Sequence, residues 1–297
     1  MNADARPTSA PSAALLAGAL RRLRVTQAWS GRIAGAVLLL LVALVAIGPA
    51  VAPHSPTALI GPPFAGPSSA SPLGTDYTGE DVLSRVLAGG RTVIEFAFVA
   101  TLLAYLTGGM IGLIAGYRRG WIDAVLMRCM DVLLAFPPII FLLLLATGFG
   151  NNVAALIIGI AVVHMPGVAR IIRAATLDVS VRGYVEAAVA RGDRLLTILR
   201  RELVPNMAGP LVADAGPRFT VSILLVAAVN FLGLGIAPPT ADWALMISEN
   251  RAGITINPLA VLIPALMIGL LTVSLNTLAD AFAASLGTTL ETESLRR

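Results

Sequence analysis

An all-α integral membrane protein with six transmembrane helices is the fold this sequence predicts, and three observations carry the expectation. Of its 297 residues 57% are hydrophobic and only 13% charged, at a mean hydropathy of +0.84, whereas a soluble domain averages about 25% charged residues. The apolar residues gather in six stretches close to the about 20 that a helix needs to cross a bilayer core. The cationic residues are divided unevenly between the connections. Backbone hydrogen bonds must be met inside lipid, so a helical bundle is the fold that meets them.

The first transmembrane helix is expected over 33–52, after an N-terminal segment 1–32 and before a break at Pro53, His54 and Pro56. An extended loop then occupies 53–91. A five-helix core follows over 92–285, with spans near 92–117 (rich in Gly108, Gly109, Gly112 and Gly116), 124–147 (Pro137-Pro138 near its middle), 153–172 (with Pro166), 210–234 and 257–280, and a tail over 286–297.

Arg placement orients these spans. Arg6, Arg21, Arg22, Arg24 and Arg32 precede the first. Arg118, Arg119 and Arg128 lie between the second and third, and Arg170, Arg173, Arg182, Arg191, Arg194, Arg200, Arg201 and Arg218 surround the connection between the fourth and fifth. Arg296 and Arg297 complete that side, and only Arg85, Arg91 and Arg251 fall on the other. The positive-inside tendency makes the Arg-rich side, with both termini, cytoplasmic. Ala50-Val51-Ala52 has the look of a signal-peptidase site, but about thirty residues of polar chain precede the apolar run, longer than a usual n-region. Cleavage would also leave five spans and spoil the charge asymmetry, so an uncleaved anchor is expected.

Composition excludes several chemistries. All 21 cationic side chains are Arg, so there is no Walker A lysine, no Schiff-base lysine and no Ser-x-x-Lys dyad. Cys129 stands alone and reads as a small buried apolar residue, and the two histidines, His54 and His164, form no metal-binding motif. No catalytic set and no metal site are expected. The Arg residues interrupt apolar spans rather than forming a basic, aromatic-studded surface, which argues against nucleic acid.

Three loops stand out. The loop over 53–91 reads Ser71-Pro72-Leu73-Gly74-Thr75-Asp76, then Gly79-Glu80-Asp81-Val82-Leu83-Ser84-Arg85, which suggests a solvated connection with an Asx turn and a short amphipathic helix. Between the fourth and fifth spans, Val185, Val189, Gly192, Leu196, Leu199 and Leu203 fall within about 80° of arc at helical spacing. That predicts one amphipathic helix over 183–203, with small Ala187, Ala188 and Gly192 allowing close approach of another surface and Pro205-Asn206 ending it. The loop over 235–257 carries Pro238-Pro239 and Trp243, an aromatic expected at the membrane interface.

Charges near the spans read as stabilising pairs rather than a proton relay. Arg128 and Asp131 are one turn apart, and Asp214 and Arg218 are spaced i, i+4 with the acid first, the favourable order. His164 is expected to be hydrogen-bonded within the bundle, and Glu95 has no evident role.

Several of these residues together resemble the permease subunits of bacterial ATP-binding-cassette importers of the dipeptide/oligopeptide/nickel group, and within it the "C" permease of dipeptide and oligopeptide systems. The resemblance covers about residues 70 to 285 and rests on five motifs in order. Pro72 to Asp76 with Gly79 to Arg85 form the first. Gly120, Trp121, Asp123, Met127, Arg128, Asp131, Phe136 and Pro137 form the second. Tyr184-Val185-Glu186-Ala187-Ala188 with Gly192 and Pro205-Asn206 form the third. Phe231-Leu232-Gly233-Leu234-Gly235 with Pro238-Pro239 form the fourth, and Trp243 with Met246 the fifth. Glu202, Val204, Asn230 and Met165 depart from the residues usual in the group (His, Leu, Ser and Trp), as does Ala281-Phe282-Ala283-Ala284, where Gly-Leu-Arg-Asp is usual.

The resemblance implies a type I importer permease fold and a non-enzymatic half of a translocation pore in the bacterial inner membrane. It also implies a second homologous permease, two ATP-binding subunits that hold ATP and Mg, and an extracytoplasmic substrate-binding protein. Tyr184, Glu186, Ala187, Ala188, Gly192, Pro205 and Asn206 would then couple to the ATPase, and Asp76, Asp81, Arg85 and Trp243 would contact external partners. Peptide is the substrate implied, with nickel, haem, glutathione or another small solute as alternatives. From another class, a proton-coupled secondary transporter would need an intramembrane ionisable relay and internal repeats that the sequence does not display.

Overall fold

The computed structural model describes residues 13–150 and 152–294, with side-chain surroundings over 29–150 and 152–282. The ends of the two terminal segments named above, 1–12 and 295–297, lie outside the described residues. Among the described residues five helices are long and apolar enough to cross a membrane, and six spans result if one pair bent by 81° counts as one.

Helix α1 (Ala13–Val51) stops just before Pro53, and the segment expected to precede the first span is helical from Ala13. After a loop comes α2 (Val82–Arg118). It begins well before the boundary expected at residue 92, because Asp81 caps it: Asp81 Oδ2 accepts the Ser84 N–H at 3.1 Å, satisfying one of the unpaired donors of a helix start. The expected short amphipathic helix is therefore the first turns of this span.

The second span is Gly-rich for packing. Gly108, Gly112 and Gly116 recur at i, i+4 and i+8 along the line where α2 meets α5 (Val153–Val179). A Cβ at Gly108 would stand 2.6 Å from the Met165 carbonyl oxygen, and one at Gly116 2.7 Å from Thr176 Cβ. Small residues at this spacing let two membrane helices approach backbone to backbone. Helix α5 itself starts at Asn152, whose Oδ1 accepts the Ala154 and Ala155 N–H groups at 2.9 and 3.3 Å.

The expected third span over 124–147 is not one helix. α3 (Gly120–Leu134) and α4 (Pro138–Phe149) meet at 81°. Pro137 and Pro138 lack the N–H groups that a continuing helix would use, and Pro138 instead starts α4, where a missing donor costs nothing. Inside the elbow a cavity of about 110 Å³ is lined by Leu133, Phe136, Phe141 and Val163, among others.

The amphipathic helix expected over 183–203 is also broken. α6 (Gly183–Ala190) ends at Gly192, then come α7 (Leu195–Ile198), a π-helical turn (Leu199–Leu203) and the one-turn α8 (Val204–Asn206). Gly192 has φ +78°. Its N–H donates to the Val189 carbonyl at 2.9 Å, and the Asp193 N–H donates to the Ala188 carbonyl at 3.1 Å, the paired bonds of a Schellman cap. The stripe is consequently divided: Val185 and Leu203 are buried, whereas Val189 and Leu196 are exposed. Pro205 does not end the segment, which runs through α8 almost directly into α9 (Ala208–Phe231).

Beyond α9 lie α10 (Trp243–Asn250), a 3₁₀ turn (Arg251–Gly253) and α11 (Leu259–Ser294). The last helix continues through the expected tail to Ser294 and packs on the first, where a Cβ at Gly31 would stand 2.7 Å from Ala281 Cβ. The main core joins Leu41 of α1, Val93 of α2, Ile160 of α5, Val226 of α9, Trp243 of α10 and Leu271 of α11.

Candidate functional site

Two polar regions lie at opposite ends of the bundle. At the Arg-poor end, the loop before α2 folds onto α10 through charged side chains that are almost wholly buried. Asp76 makes the expected Asx turn: its Oδ1 accepts the N–H groups of Thr78, Gly79 and Glu80 at 2.9, 3.0 and 2.9 Å. Its Oδ2 accepts from Arg85 Nη1 at 2.7 Å. Arg85, 1% exposed, also pairs with Glu80 and, through Nη2 at 3.1 Å, with Glu249 of α10.

The link to α10 is reinforced from both sides. The Tyr77 hydroxyl donates to Glu249 Oε1 at 3.1 Å, and the Tyr77 N–H donates to Asn250 Oδ1 at 2.9 Å. Asn257 Nδ2 donates to the Leu73 and Thr75 carbonyls at 3.1 and 3.0 Å. Asp242 caps α10 by accepting the Ala244 and Leu245 N–H groups at 3.0 and 3.1 Å, and it accepts the Thr92 hydroxyl at 2.8 Å. Burial raises the Asp242 and Glu249 carboxyls above their ordinary values, and burial with the nearby Glu249 carboxylate raises the Tyr77 phenol.

These contacts correct the expectation that Asp76, Asp81, Arg85 and Trp243 present themselves to external partners. All four are at most 1% exposed, and each is engaged within the chain. Trp243 is not interfacial: its Nε1 donates to the Val86 carbonyl at 2.8 Å, and its ring lies against Gly89 and Gly90 of α2. The loop is accordingly no solvated connection where the motif lies. Tyr77, Asp242, Glu249, Asn250 and Asn257 complete the network and were not singled out by spacing. For the last four the one signal is that polar residues interrupt the apolar chain around 235–257, and Tyr77 lies between the two halves of the first motif. Asn230, a departure noted above, accepts the Ile236 N–H at 3.2 Å and closes the turn after α9.

At the Arg-rich end the arrangement is reversed. On α6, Tyr184, Glu186 and Ala187 are exposed, while Val185 and Ala188 are buried against the bundle. Ala188 thus faces its own chain and Ala187 faces outward. Gly192 forms the left-handed cap, and this chain leaves open space where a Cβ would stand. Pro205 and Asn206 are exposed, and Asn206 Nδ2 donates to the Glu202 carbonyl at 2.6 Å. A depression of about 520 Å³ beside α6 is lined by Tyr117, Arg119, Ser180, Val185, Glu186 and Val189, among others.

Within the spans, Asp214 and Arg218 pair as spacing predicts, at 2.6 and 2.9 Å, and the Tyr105 hydroxyl donates to Asp214 at 2.5 Å. Arg128 and Asp131 do not pair with each other. Asp131 pairs with Arg170 at 2.6 Å, and Asp123 accepts two bonds of 2.5 Å from Arg173, both from α5. Glu95 accepts from Arg91 at 2.7 Å, one turn earlier. His164 is buried with its Nε2 unpartnered, against the expectation of a hydrogen bond. Cys129 is exposed rather than buried.

Comparison with known proteins gives this geometry its context. The family model described as binding-protein-dependent transport system inner membrane component matches residues 108–289. The chain is 35% identical to the glutathione transport system permease protein GsiD of Pectobacterium atrosepticum over 74% of this chain and 73% of that one. It is 33% identical to the dipeptide transport system permease protein DppC of Haemophilus influenzae, over 86% of this chain and 90% of that one. In fold it is similar to the crystal structure of an amino acid ABC transporter with histidines, at TM-score 0.51 and 21% identity, covering 68% of this chain and 94% of that one.

Proposed function

This chain belongs to the family of binding-protein-dependent transport system inner membrane components, and from that premise we propose that it is the transmembrane permease subunit of an ATP-driven importer of dipeptides or oligopeptides. The observation that carries the peptide reading is the match to DppC, which spans 90% of that protein at 33% identity. A second homologous permease completes the path, two ATP-binding subunits holding ATP and Mg dock on the cytoplasmic face, and an extracytoplasmic binding protein delivers the solute.

In this reading α6 is the coupling element. It is an eight-residue helix (Gly183–Ala190) with one side buried on its own bundle and the other, bearing Tyr184, Glu186 and Ala187, free beside a surface depression. The segment between α5 and α9 links two spans, so displacing it moves both. Closure of the ATPase pair on ATP drags this segment, and α5 and α9 follow, which shifts the balance between inward-open and outward-open states. The Schellman cap at Gly192 holds α6 as a short rigid body.

Reconstituted with its partners, the Glu186→Arg variant is expected to insert and assemble normally while substrate-stimulated ATP hydrolysis and uptake fall by at least about tenfold, as for a charge placed at an interface centre. Normal uptake by the variant removes Glu186 from the coupling surface. Uptake without ATP replaces the whole reading with a secondary transporter. A second substrate reading, glutathione, is favoured by the 35% identity to GsiD. Competition between a dipeptide and glutathione for uptake separates the two.

A further inference from the structure

Helix α3 has two exposed faces of different chemistry. Gly120, Ala124, Arg128, Asp131 and Ala135 fall within about 80° of arc, and all five are exposed. Trp121, Val125 and Val132 share the neighbouring arc and are 75%, 52% and 57% exposed. Cys129 stands at the far edge of this apolar face and is also exposed.

The polar face continues onto α5. Arg170 donates to Asp131 at 2.6 Å, with 52% and 45% of the two side chains exposed. From Arg170 the exposed residues of α5 descend one turn at a time through Ala174 to Asp178, whose partner Arg182 lies at 2.9 Å on the Arg-rich surface. Asp131 lies eleven residues from Gly120 at the start of α3, which at about 1.5 Å per residue is about 16 Å along the axis. The pair therefore lies in the second half of α3, away from its Arg-rich start.

A half-exposed ion pair there can face lipid, water or the second permease of the proposed complex, and the continuity of its strip through Ala174 and Asp178 with the Arg-rich surface favours water. It is not in the bundle interior, since its side chains are open. Hydrocarbon strongly disfavours charge, and ionisable residues in spans face a protein interior or a water-filled cavity. The apolar Trp121, Val125 and Val132 face shows what a lipid-facing surface of the same helix looks like, whereas the Asp131 face carries charge at Arg128 and Asp131 beside the small Gly120 and Ala124. We propose that the strip Ala124, Arg128 and Asp131 on α3 with Arg170, Ala174 and Asp178 on α5 lines a water-filled cleft open to the cytoplasm, while the Trp121 face meets lipid. The inference deepens the importer reading, on which the naming of the cytoplasmic side rests.

The single native cysteine makes the test direct. In inverted membrane vesicles carrying the assembled complex, labelling of this chain by a charged, membrane-impermeant methanethiosulfonate is timed for the native chain and for Ala174→Cys in a Cys129→Ala background. Thiol reaction requires the thiolate, which forms in water and not in lipid. The Ala174→Cys chain is expected to react at least about tenfold faster than native Cys129, and Ala124→Cys in the same background is expected to behave alike should the first variant insert poorly. After denaturation in detergent the same reagent is expected to label all three chains, since each thiol then meets water.

Equal or slower reaction at both polar positions overturns the proposal, because lipid or a partner subunit then covers the strip. ATP-driven release of peptide enclosed with the binding protein is measured on the same vesicles. Intact transport with equal labelling rates defeats the wet strip alone. Absent transport in the native complex with the rate difference preserved defeats the importer reading and leaves the cleft standing.

Discussion

At the Arg-poor end, Asp76 and Arg85 are 0% and 1% exposed and bind one another, Glu80 and Glu249. At the Arg-rich end, Glu186, Arg194 and Arg200 lie on the surface of a segment that touches the bundle through Val185, Ala188, Ile198 and Leu203. Both ends carry charged residues in sequence, and the chain turns them inward at one end and outward at the other. A charge enclosed by its own chain can only hold shape, here the docking of a 30-residue loop and α10 on the first turns of α2. A charge left outside on a short, capped helix with one anchored face is available to another molecule. The distinction between scaffold and contact therefore follows burial rather than motif.

The largest expected effect falls on the enclosed end. Arg85→Leu removes the one cation among Asp76, Glu80 and Glu249 and leaves buried carboxylates unpaired, a loss of about 3–5 kcal/mol. The assembled complex is expected to unfold at clearly lower temperature and to be recovered in lower yield. Glu186→Arg, on the exposed end, is expected to change stability by no more than about 0.5 kcal/mol. Equal destabilisation by the two substitutions would break the comparison.

A smaller effect sharpens it from the other side. Gly192→Ala places a Cβ at φ +78°, a conformation costing about 1–2 kcal/mol for an L residue. Nothing stands near the added atom, so the cost is backbone strain at the cap alone. Hydrogen exchange is expected to quicken in residues 183–193 and to stay unchanged across α5. Faster exchange spreading into α5 would mean that the segment is fastened more firmly than its exposure suggests.

Much of the bundle was legible because membrane spans are written in composition and local period. Pro137-Pro138 was visible as an interruption, yet the 81° elbow was not, since two prolines say that a helix breaks and not where the chain goes next. The period of six apolar residues from Val185 to Leu203 misled for a related reason. A 3.6-residue repeat carries no mark of one left-handed residue, and Gly192 ends the helix without disturbing the pattern around it. Asp214 and Arg218 were legible because they are four residues apart on one helix. Arg85 and Glu249, 164 residues apart, were not, because their meeting depends on how α10 packs against α2. The same limit explains why Asp131 was expected to pair with Arg128 on its own helix and pairs across to Arg170.

The smallest expected effect is a dependence on pH carried by Glu249. Burial holds its carboxyl above the ordinary value of 4.5, a larger influence than Arg85 and Tyr77, which pull it down. Between 4.5 and the raised value, the folded chain binds a proton that the unfolded chain has released, so stability falls as pH rises through that window. Below it the contribution is fully present, and above it the contribution is gone. The Glu249→Gln side chain cannot ionise, so its unfolding temperature is expected to vary less between about pH 4.5 and 7 than that of the native complex. Asp242, raised by the same burial, keeps part of the slope in both. The difference between the two chains isolates Glu249 together with its coupling to Asp242, Asp76 and Tyr77. Parallel curves would mean that Arg85 holds Glu249 as firmly as water does, and the loop and α10 would then be joined by an ion pair without a burial penalty. A native slope of the opposite sign relative to Glu249→Gln would mean that the ion pair outweighs burial, and the Arg-poor end would owe its cohesion to charge rather than to the packing around it.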